Sequence, residues 1–256
     1  MLFFFFSSFY RLPHITRVGS GKSYIAKQVR DAINARNPNG DSEKAECVVV
    51  GMDGYHLSRE RLRQKAEAGD TFKTDQEVEG KPVEKHFTYE ELMSRRGAAF
   101  TYCPENFVRD LKKLKENGEG SFPVYSREKH DPIPDGVSVS KHNKIILVEG
   151  LYLLCLNDPD WKPLDDLWDD KWYIQVSMEE TKRRLVKRHL QNWNDEKTKR
   201  WGGDDEAAAA RKAEANDLKN AECIWKNSRG NANIIIKNEA IPEDDKDNAD
   251  VEAAGS

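Results

Sequence analysis

The sequence predicts an α/β fold built on a central, mainly parallel sheet. Three observations predict it. Residues 47–50, 144–148 and 172–176 are short, continuous apolar runs, as expected of strands covered on both faces. Segments of helical periodicity alternate with them, and in the one ahead of the first run Ile25, Val29 and Ile33 recur every four residues. Two of the runs lead directly into Asp53-Gly54 and Glu149-Gly150, at the strand ends where open α/β sheets place ligand-contacting groups.

The 256 residues form one large domain or two small ones. A net charge of −4 lacks the basic excess of a nucleic-acid binder, so no nucleic-acid partner is expected. Residues 2–6 are apolar but too few to span a bilayer, and they lack the basic flank of a secretory signal. No membrane association is expected. Cys47, Cys103, Cys155 and Cys223 are far apart with no C-x-x-C pair, which fits reduced thiols in a cytoplasmic protein.

In chain order, residues 1–15 form an atypical N-terminal segment. Pro13 cannot donate to a central ladder, so the first strand is expected to be displaced to residues 2–6 or badly formed. Gly19-Ser20-Gly21-Lys22-Ser23 follows, ahead of a helix over residues 23–35 that Asn37-Pro38-Asn39-Gly40 stops. Residues 47–50 are the next strand. A helix is expected around 58–65, then a loop to residue 87. Thr88-x-x-Glu91 is a capping box for a short helix ending at Arg95-Arg96-Gly97. Pro104 opens another helix with Phe107, Leu111 and Leu114 on one face and Gly118 beyond its end. Residues 122–125 and 137–140 are short strands, and 144–148 and 172–176 are buried ones. Ser177-x-x-Glu180 caps a basic helix through His189, and residues 233–237 supply a last strand. Residues 16–241 constitute the main domain, and 242–256 an acidic, disordered tail.

The glycine-rich stretch has the makings of a phosphate cradle. Glycines let successive N–H groups converge on phosphate oxygens, and the following helix adds its N-terminal donors. Lys22 is placed to reach the β/γ-phosphates and the Ser23 hydroxyl to ligate Mg²⁺. Thr16 stands where the full G-x-x-x-x-G-K-[ST] pattern has its first glycine. Asp53, after a buried strand, is a candidate base, and Glu149 a candidate Mg²⁺ carboxylate. Arg184 and Arg188 share a helix face and are candidates to close over a γ-phosphate. Each has a plainer alternative: a turn residue for Asp53, a solvated strand end for Glu149, a solvated helix face for the arginines.

In this order, the motifs resemble the phosphoribulokinase/uridine kinase/bacterial-type pantothenate kinase family, and most of all its uridine kinase-like branch. They are Gly19–Ser23, Met52-Asp53-Gly54-Tyr55-His56, Arg95-Arg96-Gly97-Ala98, Val124-Tyr125-Ser126, Val148-Glu149-Gly150-Leu151-Tyr152, Arg184-Leu185-x-x-Arg188-His189 and Asn216-Asp217-Leu218. The resemblance covers about residues 18–241. It implies a P-loop NTPase of the nucleoside-monophosphate-kinase-like, three-layer kind. It implies an ATP-dependent small-molecule kinase that uses Mg²⁺ and a hydroxyl acceptor: a nucleoside, a pantothenate-like compound, a sugar or a sugar phosphate.

By position, the resemblance assigns Gly19, Ser20, Gly21, Lys22, Ser23 and Tyr24 to ATP, and Ser23 and Glu149 to Mg²⁺. Asp53 is the base, with Lys22, Arg184 and Arg188 as catalytic cations. Tyr55, His56, Arg95 and Arg96 line the acceptor side. His56 is alternatively a packed histidine, and Arg95 and Arg96 a favourable helix end. Homo-oligomerisation is open. Tyr24 stands where relatives commonly have threonine, and Cys103 where they often have aspartate. These departures, with Thr16, leave a second reading: a non-catalytic nucleotide-binding protein with a damaged loop. A hydrolytic P-loop NTPase is a third, disfavoured because Glu149-Gly150 replaces a Walker-B aspartate after residues 145–148.

Overall fold

A computed structural model describes residues 10–16, 19–36, 46–78 and 81–239. Strands β1 (Tyr10–Thr16), β2 (Cys47–Gly51), β7 (Ile145–Gly150), β8 (Trp172–Gln175) and β9 (Ile234–Lys237) form one parallel sheet in the order β2–β7–β1–β8–β9. The register sets His14 and Gly51 level with Glu149 on either side of β7. The loop after β1, Glu149 and the turn after β2 therefore lie at one carboxyl edge of the sheet, where such sheets bind ligands.

The first strand corrects the sequence expectation. It lies at residues 10–16, in the middle of the sheet, and includes Pro13. The register explains how proline is tolerated. Over Tyr10–Pro13, β1 pairs with β7 alone; β8 joins only from His14 to Thr16. Locally Pro13 sits on an edge, where a missing N–H costs no ladder bond on the open side. The proposed alternative strand at residues 2–6, the stop at 37–40 and the tail at 242–256 lie outside the described residues.

The helices are α1 (Lys22–Asn34), α2 (Arg59–Glu67), α3 (Tyr89–Ser94), α4 (Pro104–Asn117), α5 (Met178–Gln191), α6 (Asp195–Trp201), α7 (Glu206–Lys212) and α8 (Leu218–Ser228). Ser58 caps α2, and Thr88 with Glu91 forms the full capping box of α3. Ser177 caps α5 by accepting from the Glu180 N–H. The Glu180 carboxylate does not complete a box; it is taken by Arg183 and Arg184, 2.6 Å away in each case.

Residues 71–86 are not the loop expected. They form an antiparallel hairpin, β3 (Thr71–Val78) with β4 (Lys81–His86). Its Phe72 and Phe87 close a small core with Leu62 and Leu92. A second hairpin, β5 (Gly120–Ser126) with β6 (Asp131–Val139), packs on the 3₁₀ turn Met52–Tyr55. The approach is so close that a Cβ on Gly54 would stand 2.0 Å from the Pro123 carbonyl oxygen. The main core surrounds the sheet and is led by buried Trp161, Tyr152, Tyr173, Phe107 and Phe122. Strand β2 is an edge strand, and Val48 and Val49 are only half-buried rather than covered on both faces. Among the described residues no helix is long and apolar enough to cross a membrane.

Candidate active site

The site grows from the end of β1. Gly19 and Gly21 take φ of +81° and +86°, a conformation that glycine adopts at little cost. Gly21 is also the N-cap of α1, and no side chain caps that terminus. Its first-turn N–H groups are therefore left for another acceptor, as an anion-binding helix start requires. Asn238, just after β9, donates to the Ser20 carbonyl at 2.8 Å and holds the loop from the far side. The Ser20 side chain is buried, and its hydroxyl has no hydrogen-bond partner among the described residues. Tyr24, in the first turn of α1, is 69% exposed. Val18 lies outside the described residues, and of Thr16 the backbone strand alone is described.

Lys22 lies between two carboxylates. Its Nζ is 2.9 Å from Glu149 Oε2 and 3.9 Å from Asp53 Oδ2. It also donates to Ser23 Oγ at 3.2 Å, and Ser23 Oγ donates to Glu149 Oε1 at 2.9 Å. Burial works against the Lys22 charge, but Glu149 and Asp53 outweigh it and raise its pKa. Burial also works against the Asp53 charge, and there Lys22, His56 and a hydrogen bond from Tyr102 prevail and lower the pKa. That bond runs from the Tyr102 hydroxyl to Asp53 Oδ1 at 3.2 Å. The Asp53 side chain remains 34% exposed, so its carboxylate stays accessible.

His56 Nδ1 lies 2.8 Å from the Asp53 carbonyl. A carbonyl only accepts, so Nδ1 carries the proton. Burial lowers the His56 pKa against the pull of Asp53. In the neutral ring Nε2 is then a bare acceptor. The ring packs 4.0 Å from Tyr102 and 4.9 Å from Tyr125, centroid to centroid.

Among the other residues singled out from the sequence, several are engaged elsewhere. Tyr55 is buried in the main core, its hydroxyl donating to Asp110 at 3.0 Å. Arg95 donates to Asn216 at 3.0 Å. Arg96 holds Asp131 at 2.7 Å and the carbonyls of Leu57 and His130. It therefore ties α3 to the β5–β6 hairpin. Arg184 reaches the loop: it donates to the Asn238 carbonyl at 2.9 Å and lies 3.5 Å from the Ser20 carbonyl. Arg188, one turn on, adds positive potential around Lys212 and Asp217 instead.

Sequence reasoning missed Tyr102, Asn238 and Arg127. Arg127, exposed after β5, adds positive potential felt by Lys22, Asp53 and Tyr125. Each reaches the site by chain folding, and none has a spacing relation to Asp53 or Lys22 that would mark it. Among the described residues no group of three or more His, Cys, Asp or Glu side chains is placed to hold a metal. Mg²⁺ often relies on one or two protein groups plus substrate phosphates. The Ser23–Glu149 pair fits that role.

No protein-family model matches the chain. The chain is 31% identical over 181 residues to the ATP-dependent kinase-like protein notR' of Aspergillus versicolor, covering 69% of this chain and 88% of that protein. It is 31% identical over 176 residues to "Putative uridine kinase C227.14" of Schizosaccharomyces pombe, covering 67% of this chain and 63% of that longer protein. The crystal structure of YFH7 from Saccharomyces cerevisiae, "a putative P-loop containing kinase with a circular permutation", matches with a TM-score of 0.67 at 19% identity. That match covers 91% of this chain and 93% of the other, and it shows a shared P-loop kinase fold.

Proposed function

Because this chain belongs to the uridine kinase-like family of P-loop kinases, we propose that it transfers the γ-phosphate of ATP to a hydroxyl of a small metabolite. The observation that carries this reading is an ionised, part-exposed Asp53 beside Lys22, with Lys22 bridging to the Ser23–Glu149 pair. Phosphoryl transfer asks for little more than a cradle, cations and a positioned base. Gly19 to Ser23 offer the cradle. Ser23 and Glu149 would hold Mg²⁺, which when bound neutralises charge on the phosphates.

In this reading Asp53 takes the hydroxyl proton of the acceptor. The acceptor oxygen forms its bond to the γ-phosphorus, and the bond to the ADP oxygen breaks with its electron pair leaving on ADP. Lys22 offsets negative charge at the transferring group. His56 Nε2 accepts from a second acceptor hydroxyl. Arg184 steadies the loop through Ser20 and Asn238, with Arg188 further along the same face. The four free cysteines fit a cytoplasmic place of action.

The test is ADP formation with a panel of nucleosides, pantothenate, sugars and sugar phosphates, for the native chain and for Asp53→Asn. Acceptor-dependent turnover that falls by about 10²- to 10⁴-fold in the variant supports the reading. Sustained ADP release with water alone, or a variant as fast as the native chain, refutes the assignment.

A further inference from the structure

A cavity of about 290 Å³ opens beside the acceptor side, between α3, α6 and the π-helical turn Ala213–Asp217. Lys197, Arg200, Lys212 and Arg96 line it, with Glu196 and Asp217 as its carboxylates. The balance of charge is uneven. Asp217 is already bound by His189 at 2.7 Å, and Arg96 by Asp131. Among the described residues no carboxylate lies within ion-pair distance of Lys197, Arg200 or Lys212. Lys197 reaches only the Asn192 carbonyl, Lys212 only the His189 ring, and Arg200 lies over the Trp201 ring. Burial first, and then the neighbouring cations Lys197, Arg188 and Arg200, depress the Lys212 pKa against the pull of Asp217. Arg96, 9% exposed, has a buried Nε without a hydrogen-bond partner among the described residues.

One lining residue of the cavity, Arg96, leads by ring contacts toward the proposed site. The Arg96 guanidinium stands 5.6 Å from the Tyr125 ring, and that ring 4.9 Å from His56. Helix α5 links the same two places. Arg184 touches the phosphate loop, and His189, five residues on, holds Asp217 at the cavity wall. Along the helix axis these two residues are about 7.5 Å apart in rise.

We propose that this cavity receives the anionic end, phosphate or carboxylate, of the phosphoryl acceptor, so that the acceptor is a charged hydroxy compound rather than a neutral one. The inference rests on the kinase reading and narrows it. Lys197, Arg200 and Lys212 supply cationic donors that no carboxylate among the described residues neutralises. The acceptor-side role expected of Arg95 and Arg96 passes largely to these residues, since Arg95 and Arg96 spend donors on Asn216, Asp131 and backbone carbonyls.

The test compares matched acceptors, glycerol with glycerate and ribose with ribose 5-phosphate, in the native chain and in a Lys197→Ala/Arg200→Ala double variant. Binding of ATP–Mg²⁺ and of inorganic phosphate is measured in both by calorimetry. The expected result is a preference of about tenfold or more for the charged member of a pair. Its KM should rise by about tenfold or more in the double variant while ATP affinity is unchanged, and Arg200→Lys should recover part of the loss. Inorganic phosphate should bind the native chain, bind the double variant more weakly, and compete with the charged acceptor. Equal use of neutral partners, an unchanged KM in the variant, or no phosphate binding overturns the inference. So does phosphate that binds without competing, which would mark an effector site. Loss of ATP binding by the native chain would instead overturn the kinase reading, and the two failures are read separately.

Discussion

Asp53 keeps its charge against the tendency of its surroundings. Burial alone would push a carboxyl up, and Lys22, His56 and Tyr102 reverse that. The pH consequence follows from the sign. A depressed carboxyl is ionised throughout the neutral range and is lost as a base only as pH falls through its lowered value. The acid limb of kcat/KM due to Asp53 is therefore expected below the ordinary carboxylate range. Tyr102→Phe removes one hydrogen bond to the charged form. The limb should move up toward the ordinary value, and kcat should fall by about three- to tenfold. A pH–rate profile of the two proteins checks this. An unmoved limb would mean that Tyr102 does not tune the base. Tyr102 itself is invisible in the sequence, because it meets Asp53 across 49 residues of chain. Lys22, Ser23, Asp53 and Glu149 were legible because each sits beside a local signal: a glycine-rich turn, or the end of an apolar run.

At the scale of elements, two contacts fix the site. The Met52–Tyr55 turn is pressed on β5, and Gly54 is the only residue type that fits there, since a Cβ would meet backbone. Gly54→Ala should cost about 1–3 kcal/mol of stability and displace Asp53, so thermal melting and kcat should both fall. A variant with native melting would contradict the packing. Helix α5 is fixed to the loop through Arg184, and Glu180 holds Arg183 and Arg184. The hydrogen bond from Arg183 leads in lowering the Glu180 pKa to about 2; burial opposes it, and Arg184 adds to it. This depressed carboxyl stabilises the fold above its unfolded pKa, and the contribution is lost as pH falls from about 4.5 toward 2. Glu180→Gln should melt about 2–4 °C lower at pH 7, after allowance for the exposed Arg183, and the gap should close as pH falls toward 2. A gap independent of pH would refute the assignment. The helices with caps or strong periodicity, α1, α3, α4 and α5, were readable from sequence. The β3–β4 hairpin was not: Thr71 to His86 is mostly polar, and among the described residues Phe72, with Phe87 just beyond β4, anchors it to the small core. Helices α6 and α7 also escaped, because their caps Asn194 and Asp205 precede short charged or alanine-rich runs without a clear apolar stripe, and α8 because it continues from the turn Ala213–Asp217 with no side-chain cap to mark its start.

Across the whole molecule, the parallel sheet brings three chain-distant points to one edge: the loop after β1, the turn after β2 and the end of β7. The alternation of apolar runs and helices gave away this architecture, but it could not fix the strand order. Pro13 misled because the sequence carries no sign that β8 leaves its side of β1 open at that point. The fold thus accommodates β1 with its Pro13, and the glycine-rich loop that follows holds Gly19 and Gly21 in the left-handed conformation. The central claim is that this loop binds nucleotide through Lys22. Calorimetric titration of ATP–Mg²⁺ into the chain and into Lys22→Ala tests it most directly. The account predicts saturable one-site binding to the native chain and affinity about 10- to 100-fold lower in a variant that remains folded. A folded native chain that binds no ATP–Mg²⁺, or a variant that binds it equally well, would contradict the account.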